Sequence, residues 1–186
     1  MAIRMLKNAR IMLAIVVVAI GALVGIAVSC GSSTPESQNA TDFTLPTLTG
    51  ANVTLSELEG TLVVLNFWTT TCVYCKKQLP YLESVAQQKQ GEIEVIAIDV
   101  GQSASTVQAF LQDLFGTNET AMIVALDSDG EVFVDYCLTY GNPKGAVPFT
   151  LFVDGEGVIQ YKRIGAFMSE KELWDTLHSV FGITVP

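Results

Sequence analysis

The stretch that decides the fold is Asn66–Pro80, NFWTTTCVYCKKQLP, in which Cys72 and Cys75 are separated by two residues. An almost continuous apolar run, Leu62 to Phe67, leads into it and is typical of a buried strand. A helical pattern follows from Cys75 to Gln90. The cysteine pair is therefore predicted to lie where a buried strand ends and a helix begins.

This position favours a reactive thiol, because the free N–H groups and partial positive charge of a helix N-terminus stabilise a thiolate. We expect Cys72 to be the nucleophile at the exposed end. Cys75 should lie one turn deeper, where it can attack a mixed disulfide from within. Two intervening residues also bring the sulfur atoms within bonding distance. The pair predicts thiol–disulfide exchange.

Other uses of a cysteine pair compete with this interpretation. Zinc is disfavoured, since the chain has no second closely spaced cysteine pair and only one histidine. Haem attachment requires a histidine after the second cysteine, and that residue is Lys76. A purely structural disulfide stays open, although closing so short a loop removes little chain entropy. We expect no bound metal or other cofactor.

The pattern on either side of the site indicates an α/β fold. Further apolar runs cover Ile93 to Val100 and Ala121 to Leu126, and helical patterns cover Ser103 to Phe115 and Val132 to Tyr140. Strands that alternate with helices predict parallel crossover units.

The sheet should be mixed, however, because Gly155-Glu156-Gly157 joins Phe149–Asp154 to Val158–Arg163 as a hairpin. A closing helix begins at the capping box Ser169–Glu172. Asp42–Leu55 predicts a short N-terminal hairpin with its turn at Gly50–Asn52.

The first 30 residues form an export signal or a membrane anchor. Arg4, Lys7 and Arg10 precede an apolar run from Ile11 to Val28, which is long enough to span a bilayer. Ala27-Val28-Ser29-Cys30 resembles a lipobox, in which Cys30 would be lipidated, although Ala27 stands where leucine is usual. Residues 31–41 predict a flexible linker and residues 42–186 one domain. Either anchor would hold the domain at the cell membrane on the extracytoplasmic side.

The charge excludes one class of partner. The chain has a formal net charge of −9. Without its three N-terminal basic residues, the rest of the chain is still more acidic. Such a body is repelled by phosphate backbones, so we expect no nucleic-acid partner.

Together these motifs resemble the TlpA/ResA-type thioredoxin-like proteins, a group related to the redoxin and AhpC/TSA families. The segment Asn66–Pro80 resembles their active-site stretch, and Asp42–Pro46 through Leu58–Gly60 is similar to their N-terminal hairpin. Val147–Thr150 followed by Phe152–Gly155 matches their cis-proline strand and its hairpin. The resemblance covers residues 42–181. It implies a thioredoxin-like fold, with a central mixed sheet flanked by helices and an N-terminal hairpin extension.

The resemblance also implies a substrate site. A cis bond between Val147 and Pro148 would leave the Val147 backbone free to pair with an extended substrate. Val73 and Tyr74, between the cysteines, would line this site. Trp68 would shield the disulfide, or serve as an ordinary core aromatic.

The sequence departs from its apparent relatives in its acids. Thioredoxin carries a buried acid six residues before the first cysteine, where this chain has Asn66, and the ResA-like branch often has glutamate where this chain has Gln78. A neutral amide cannot act as a general base. Gln78 and Asp99 are the candidates for proton transfer to and from Cys75, although a solvated acid at a strand end is the plainer interpretation of Asp99.

The resemblance suggests a membrane electron donor of the CcdA/DsbD type and, as substrates, apocytochrome c or other exported proteins with disulfides. A thiol peroxidase is one alternative, but the proline of the peroxidase site is Leu65 here. A copper metallochaperone is another, but such proteins have three residues between their cysteines. Cys137 is either a small buried helix residue or a third redox thiol.

Overall fold

The computed structural model describes residues 38–183, which are built around a five-stranded sheet. Its strands are Leu62–Trp68 (β3), Ile93–Val100 (β4), Ile123–Asp127 (β5), Phe149–Val153 (β6) and Ile159–Ile164 (β7). They lie in the order β5-β4-β3-β6-β7. β3, β4 and β5 are parallel, whereas β6 is antiparallel to β3 and β7 is antiparallel to β6. This mixed sheet confirms the prediction.

The central strand β3 is apolar along most of its length because both faces of the sheet are covered. Val64 and Trp68 pack on one face, and Leu65 and Phe67 pack on the other. Successive side chains of a strand point to opposite faces, so each face contributes to its own half of the core.

Four helices cover the sheet: Val73–Gln88 (α1), Ala104–Phe115 (α2), Glu131–Tyr140 (α3) and Glu170–Phe181 (α4). α1, α2 and α4 pack on the face that carries Trp68, and α3 packs on the opposite face. The side chains of Ser103 and Ser169 cap α2 and α4 by accepting a hydrogen bond from the N–H three residues on. The predicted N-cap Ser169 is thus confirmed, but the Glu172 carboxylate accepts from the Met168 N–H and not from the Ser169 N–H that a full capping box requires.

The N-terminal hairpin is present, with strands Thr44–Pro46 (β1) and Asn52–Thr54 (β2) followed by a 3-10 helix, Leu55–Leu58. Its apolar side chains pack on the same face as α3. Thr47 forms an isolated bridge to Ala125 of the edge strand β5, so the hairpin partly covers that edge.

The ordered domain starts earlier than the sequence indicated. Residues 38–41, assigned above to the linker, are hydrogen-bonded to the domain. Asn39 bridges Val158, and the Ala40 N–H donates to the Gly157 carbonyl at 2.9 Å. The hydroxyl of Tyr140 donates to the Asn39 carbonyl at 2.8 Å. These contacts involve mainly backbone atoms. They therefore leave no pattern of side chains from which the sequence could have predicted them.

Within residues 38–183, no helix is both long enough and apolar enough to cross a bilayer. The predicted signal or anchor, including Cys30, lies outside the described residues.

Candidate active site

The two cysteines lie at the start of α1 and are joined by a disulfide, with their Cα atoms 5.2 Å apart. Cys72 is the N-cap of the helix, and its sulfur accepts a hydrogen bond from the Cys75 N–H at 3.0 Å. This N–H is one of the groups that a helix leaves without a partner in its first turn. The same donor would stabilise a Cys72 thiolate after reduction.

The two sulfur-bearing residues differ in access. Cys72 is partly exposed, whereas Cys75 is only 1% exposed and packs in the core beside α1's own Leu79. A bulky substrate can therefore reach Cys72 and cannot reach Cys75 directly. This is the asymmetry that the sequence predicted.

The start of β6 brings a second backbone segment to the disulfide. Phe149 pairs with Phe67 near the end of β3, so the residues just before β6 lie at the same edge of the sheet as Cys72. The Val147–Pro148 peptide bond is cis, as the family resemblance implied. The carbonyl oxygen of Val147 is 3.7 Å from the sulfur of Cys72.

Exposed apolar side chains surround this edge. Val73 and Tyr74 are 67% and 56% exposed, although apolar side chains of this size are usually buried. Met168, which sequence reasoning missed, is also exposed. It belongs to the loop after β7, and the Gly165 N–H in that loop donates to the Pro148 carbonyl at 2.8 Å. A single methionine in a loop carries no sequence signal that could have identified it.

The structure decides between the two interpretations of Trp68. Its side chain is fully buried and stacks at a tilt on Phe110, with ring centroids 5.3 Å apart. It lies beneath the disulfide region as a core aromatic and is not part of the surface that a substrate meets. The sequence could not decide this, because tryptophan serves both roles.

Gln78 is fully buried, and both ends of its amide are bound. Its Oε1 accepts from the Phe167 N–H at 2.8 Å, and its Nε2 donates to the Thr150 hydroxyl at 3.3 Å. Asn66 donates to the same hydroxyl at 2.9 Å. The two amides that stand in the usual positions of the acid thus belong to one neutral network.

Asp99 is also fully buried, so its interpretation as a solvated strand-end acid was wrong. Neither carboxylate oxygen has a hydrogen-bond partner among the described residues. Burial raises the pKa of Asp99 to about 7, the Gln102 backbone N–H nearby opposes part of the rise, and the charge of Asp127 adds to it. Asp99 pairs with Trp68 on the neighbouring strand, and this register places the carboxylate in the protein interior. The sequence alone does not show the register.

Gln102 is a second residue that sequence reasoning missed. Its Oε1 accepts from the Thr70 N–H at 2.8 Å, and its Nε2 donates to the Thr70 hydroxyl at 2.7 Å. These two bonds hold the loop that leads into Cys72 against the loop that follows β4. A glutamine between two loops has no characteristic pattern.

Cys137 lies in α3, is 5% exposed and has no disulfide partner among residues 38–183. Burial raises the pKa of its thiol, although the Asn142 side-chain amide partly offsets this by donating to its sulfur. Cys137 packs on the opposite face of the sheet from Cys75, so the two do not meet in this structure.

Many known proteins are similar to this chain. A family model described as AhpC/TSA family matches residues 37–162. The thiol-disulfide oxidoreductase ResA of Bacillus subtilis is 31% identical over 170 residues, which cover 90% of this chain and 89% of ResA.

Solved structures agree with the family match. A secreted disulfide oxidoreductase of Mycobacterium tuberculosis superposes with a TM-score of 0.59 and 26% identity, covering 74% of this chain and 95% of that one. The exposed lipoprotein thioredoxin Etrx1 of Streptococcus pneumoniae gives 0.60 and 26%, covering 75% and 99%. The chain therefore belongs to the AhpC/TSA family and, with its Cys72–Cys75 disulfide on a thioredoxin-like fold, is a thiol-disulfide oxidoreductase.

Proposed function

We propose that this protein exchanges its Cys72–Cys75 pair with disulfides of exported proteins on the outer side of the cell membrane. The observation that carries the proposal is the unequal exposure of the two cysteines at the start of α1. A protein substrate can reach the sulfur of Cys72, whereas the sulfur of Cys75 is buried behind it.

The exchange runs in two steps. In the reducing direction, the Cys72 thiolate attacks a substrate disulfide, forms a mixed disulfide and releases one substrate thiolate. Cys75 then gives up its proton and attacks the Cys72 sulfur. The Cys72–Cys75 bond forms, the bond to the substrate breaks, and the substrate leaves as its second thiolate. The oxidising direction is the reverse of these steps.

The surface around Cys72 suits an extended polypeptide. The Val147 backbone lies beside the reacting sulfur, where it can pair with a substrate strand. Val73 and Tyr74 offer apolar contact on the helix side, and Pro148 fixes the chain after Val147. Trp68 supports this surface from beneath.

The N-terminal sequence supports a location at the membrane. Its basic residues and apolar run fit either an uncleaved helix or a lipoprotein signal that ends at Cys30. One structural relative, Etrx1, is itself an exposed lipoprotein. We infer the same arrangement for this chain, with electrons supplied by a CcdA/DsbD-type membrane protein and with apocytochrome c among the substrates.

Replacement of each cysteine tests the assignment. The purified protein, supplied with a dithiol, should reduce insulin disulfides, and Cys72→Ser should abolish turnover. Cys75→Ser should instead accumulate mixed disulfides, because the first step survives and the second is lost. Cys137→Ser is the matched control and should retain turnover.

Equal and mild losses in Cys72→Ser and Cys75→Ser would contradict the roles given to the two residues. The same preparations separate the alternatives. Peroxide consumption that outpaces insulin reduction would indicate a peroxidase, and stoichiometric Cu(I) binding by the reduced protein would indicate a metallochaperone.

A further inference from the structure

Three buried polar side-chain atoms lack a hydrogen-bond partner within residues 38–183, and all three belong to one pair of residues. They are Nε1 of Trp68 and both carboxylate oxygens of Asp99. Both side chains are fully buried. Buried polar groups are nearly always satisfied, so a cluster of exceptions needs a functional or solvent-mediated explanation.

The two residues are neighbours across the sheet. Trp68 pairs with Asp99 in the parallel register of β3 and β4, and adjacent strands lie about 4.8 Å apart. Val95 and Ala97 of β4 pack on the face that carries α1, so the alternation of side chains places Asp99 on that face as well. Cys75 and Trp68 belong to this same packed layer. The unpartnered acid thus shares a layer with the buried sulfur.

No other buried acid of this layer is free to act. Glu83 of α1 is buried, but its Oε1 accepts from the Ala121 N–H at 2.9 Å and its Oε2 accepts from the Met122 N–H at 3.2 Å. Gln78 and Asn66 are neutral amides bound to Thr150. Asp99 is therefore the available proton acceptor on this side of the sheet.

We propose that Asp99 takes up the proton of Cys75 during the resolving step, through a buried water that the Trp68 N–H and the Asp99 carboxylate hold between them. This inference rests on the proposed exchange reaction and assigns the proton acceptor within it. One donor and two acceptor oxygens supply the two to four polar partners that an internal water requires. Trp68 is then a positioning residue.

The step balances as follows. The Cys75 thiol loses its proton through the water, and the Asp99 carboxylate becomes a carboxylic acid. The Cys75 thiolate attacks the Cys72 sulfur, the intramolecular disulfide forms, and the substrate departs with the electron pair of the broken bond. Asp99 later returns its proton to solvent or to the substrate thiolate. No outside oxidant or reductant takes part.

The charges around Asp99 agree with this role. The pKa of Asp99, raised to about 7 by burial, lets the group exist in both forms near neutral pH. Asp127 of β5 lies on the opposite face, where it caps α3 through the Phe133 N–H, and its charge raises the pKa of Asp99 further. Lys76 of α1 pairs with the exposed Asp113 of α2, and Lys77 lies over the exposed Tyr74 ring, so both lysines of α1 have partners away from Asp99.

Stopped-flow decay of a Cys72 mixed disulfide across pH tests the proposal in the full-length protein. The wild-type rate should rise through about pH 7 as Asp99 ionises. Asp99→Asn should lower the rate near pH 7 by about a hundredfold and remove that inflection. Its rate should recover only at higher pH, where hydroxide can take up the thiol proton directly. Glu94→Gln removes a half-buried carboxylate from the same strand, β4, and should keep the wild-type inflection.

A wild-type pH profile in Asp99→Asn would overturn the proposal and leave the exchange function standing, whereas absence of exchange in the wild-type protein would refute the function itself. If Asp99→Asn does not fold, carbon-13 titration of the Asp99 carboxyl in reduced wild-type and Cys75→Ser protein decides instead. The two titrations should differ, because the Cys75 proton and the Asp99 proton are coupled. Identical titrations would overturn the proposal.

Discussion

At the scale of single residues, position 78 beneath the disulfide carries an amide where similar proteins often carry an acid. The amide offers both a hydrogen-bond donor and an acceptor. Gln78 is the side chain that can both accept from the Phe167 N–H and donate to the Thr150 hydroxyl. Glutamate would keep the first bond, and the Thr150 hydroxyl could turn to donate to the new carboxylate. Position 78 can therefore carry an acid without losing its hydrogen bonds.

This predicts that Gln78→Glu rescues Asp99→Asn. The carboxylate at position 78 lies one helical turn after Cys75 and can accept its proton, so the double variant should resolve mixed disulfides at least about tenfold faster near pH 7 than Asp99→Asn alone. Stopped-flow decay measures the rates, and Gln78→Met serves as a control without an acid. Equal rates in the double variant and in Asp99→Asn would show that position 78 cannot reach the thiol.

Asp99 also makes stability depend on pH in a definite direction. The unfolded chain loses the Asp99 proton near pH 3.8, whereas the folded protein keeps it up to about pH 7. The folded state therefore binds more protons within this window, and its free energy of unfolding falls as pH rises from about 4 to about 7, by up to about 1.4 kcal/mol per pH unit.

Asp99→Asn should lack this contribution. Urea unfolding of the oxidised protein at pH 5 and pH 7.5 measures it, with the difference between the two proteins isolating Asp99 from the other acids. The variant should gain stability relative to wild type as pH rises. Parallel pH dependences would mean that Asp99 ionises in the folded protein much as it does in the unfolded chain.

At the scale of secondary-structure elements, α1 is held at two places. Its N-terminus is capped by Cys72, and Glu83 in its second half binds the Ala121 and Met122 N–H groups before β5. A carboxylate that satisfies two backbone donors fixes the helix against the loop. The cap and this anchor together set where the cysteines lie over the sheet.

Glu83→Ala should consequently lower the free energy of unfolding by about 1–3 kcal/mol, because it leaves the buried Met122 N–H and the partly buried Ala121 N–H without their partner. Glu92→Ala is the control. It removes only a surface pair with Lys89 and should change stability by less than about 1 kcal/mol. Urea denaturation of both variants tests this, and equal effects would show that solvent satisfies the Ala121 and Met122 amides.

The elements were largely predictable, and the polar interior was not. Continuous apolar runs gave β3 and β4, and the Gly155–Gly157 turn gave the last hairpin, because pattern and turn chemistry are local properties. The burial of Asp99 depends on its register with Trp68 and on the helices that cover that face, which are not local. The same holds for the Gln102 clamp on Thr70, which joins two loops distant in sequence.

At the scale of the whole molecule, the described chain begins at the end of the sheet opposite the disulfide. Asn39 bridges Val158 beside the β6-β7 turn, whereas Pro148 at the other end of β6 lies near Cys72. The segment is fixed there by Tyr140 and by Tyr136, whose hydroxyl donates to the Thr41 carbonyl at 2.5 Å. The segment that leads to the proposed anchor therefore does not cover the end of the sheet that carries Cys72.

The type of N-terminal anchor can be determined on the mature protein. Intact protein should partition with membranes, because both N-terminal alternatives attach it there. Mass spectrometry of the N-terminus distinguishes them: a diacylglycerol-modified Cys30 indicates a lipoprotein, and an intact Met1 indicates an uncleaved helix. Recovery as free exported protein would contradict both.

The division of labour between the two cysteines is the central claim, and site-resolved alkylation of the reduced protein tests it most directly. Limiting iodoacetamide at pH 7, followed by mass spectrometry, should modify Cys72 first, because it is accessible and the Cys75 N–H stabilises its thiolate. Cys75 and Cys137, both buried, should react at a comparable rate only after denaturation. Modification of Cys75 as fast as Cys72 in the folded protein would contradict the account.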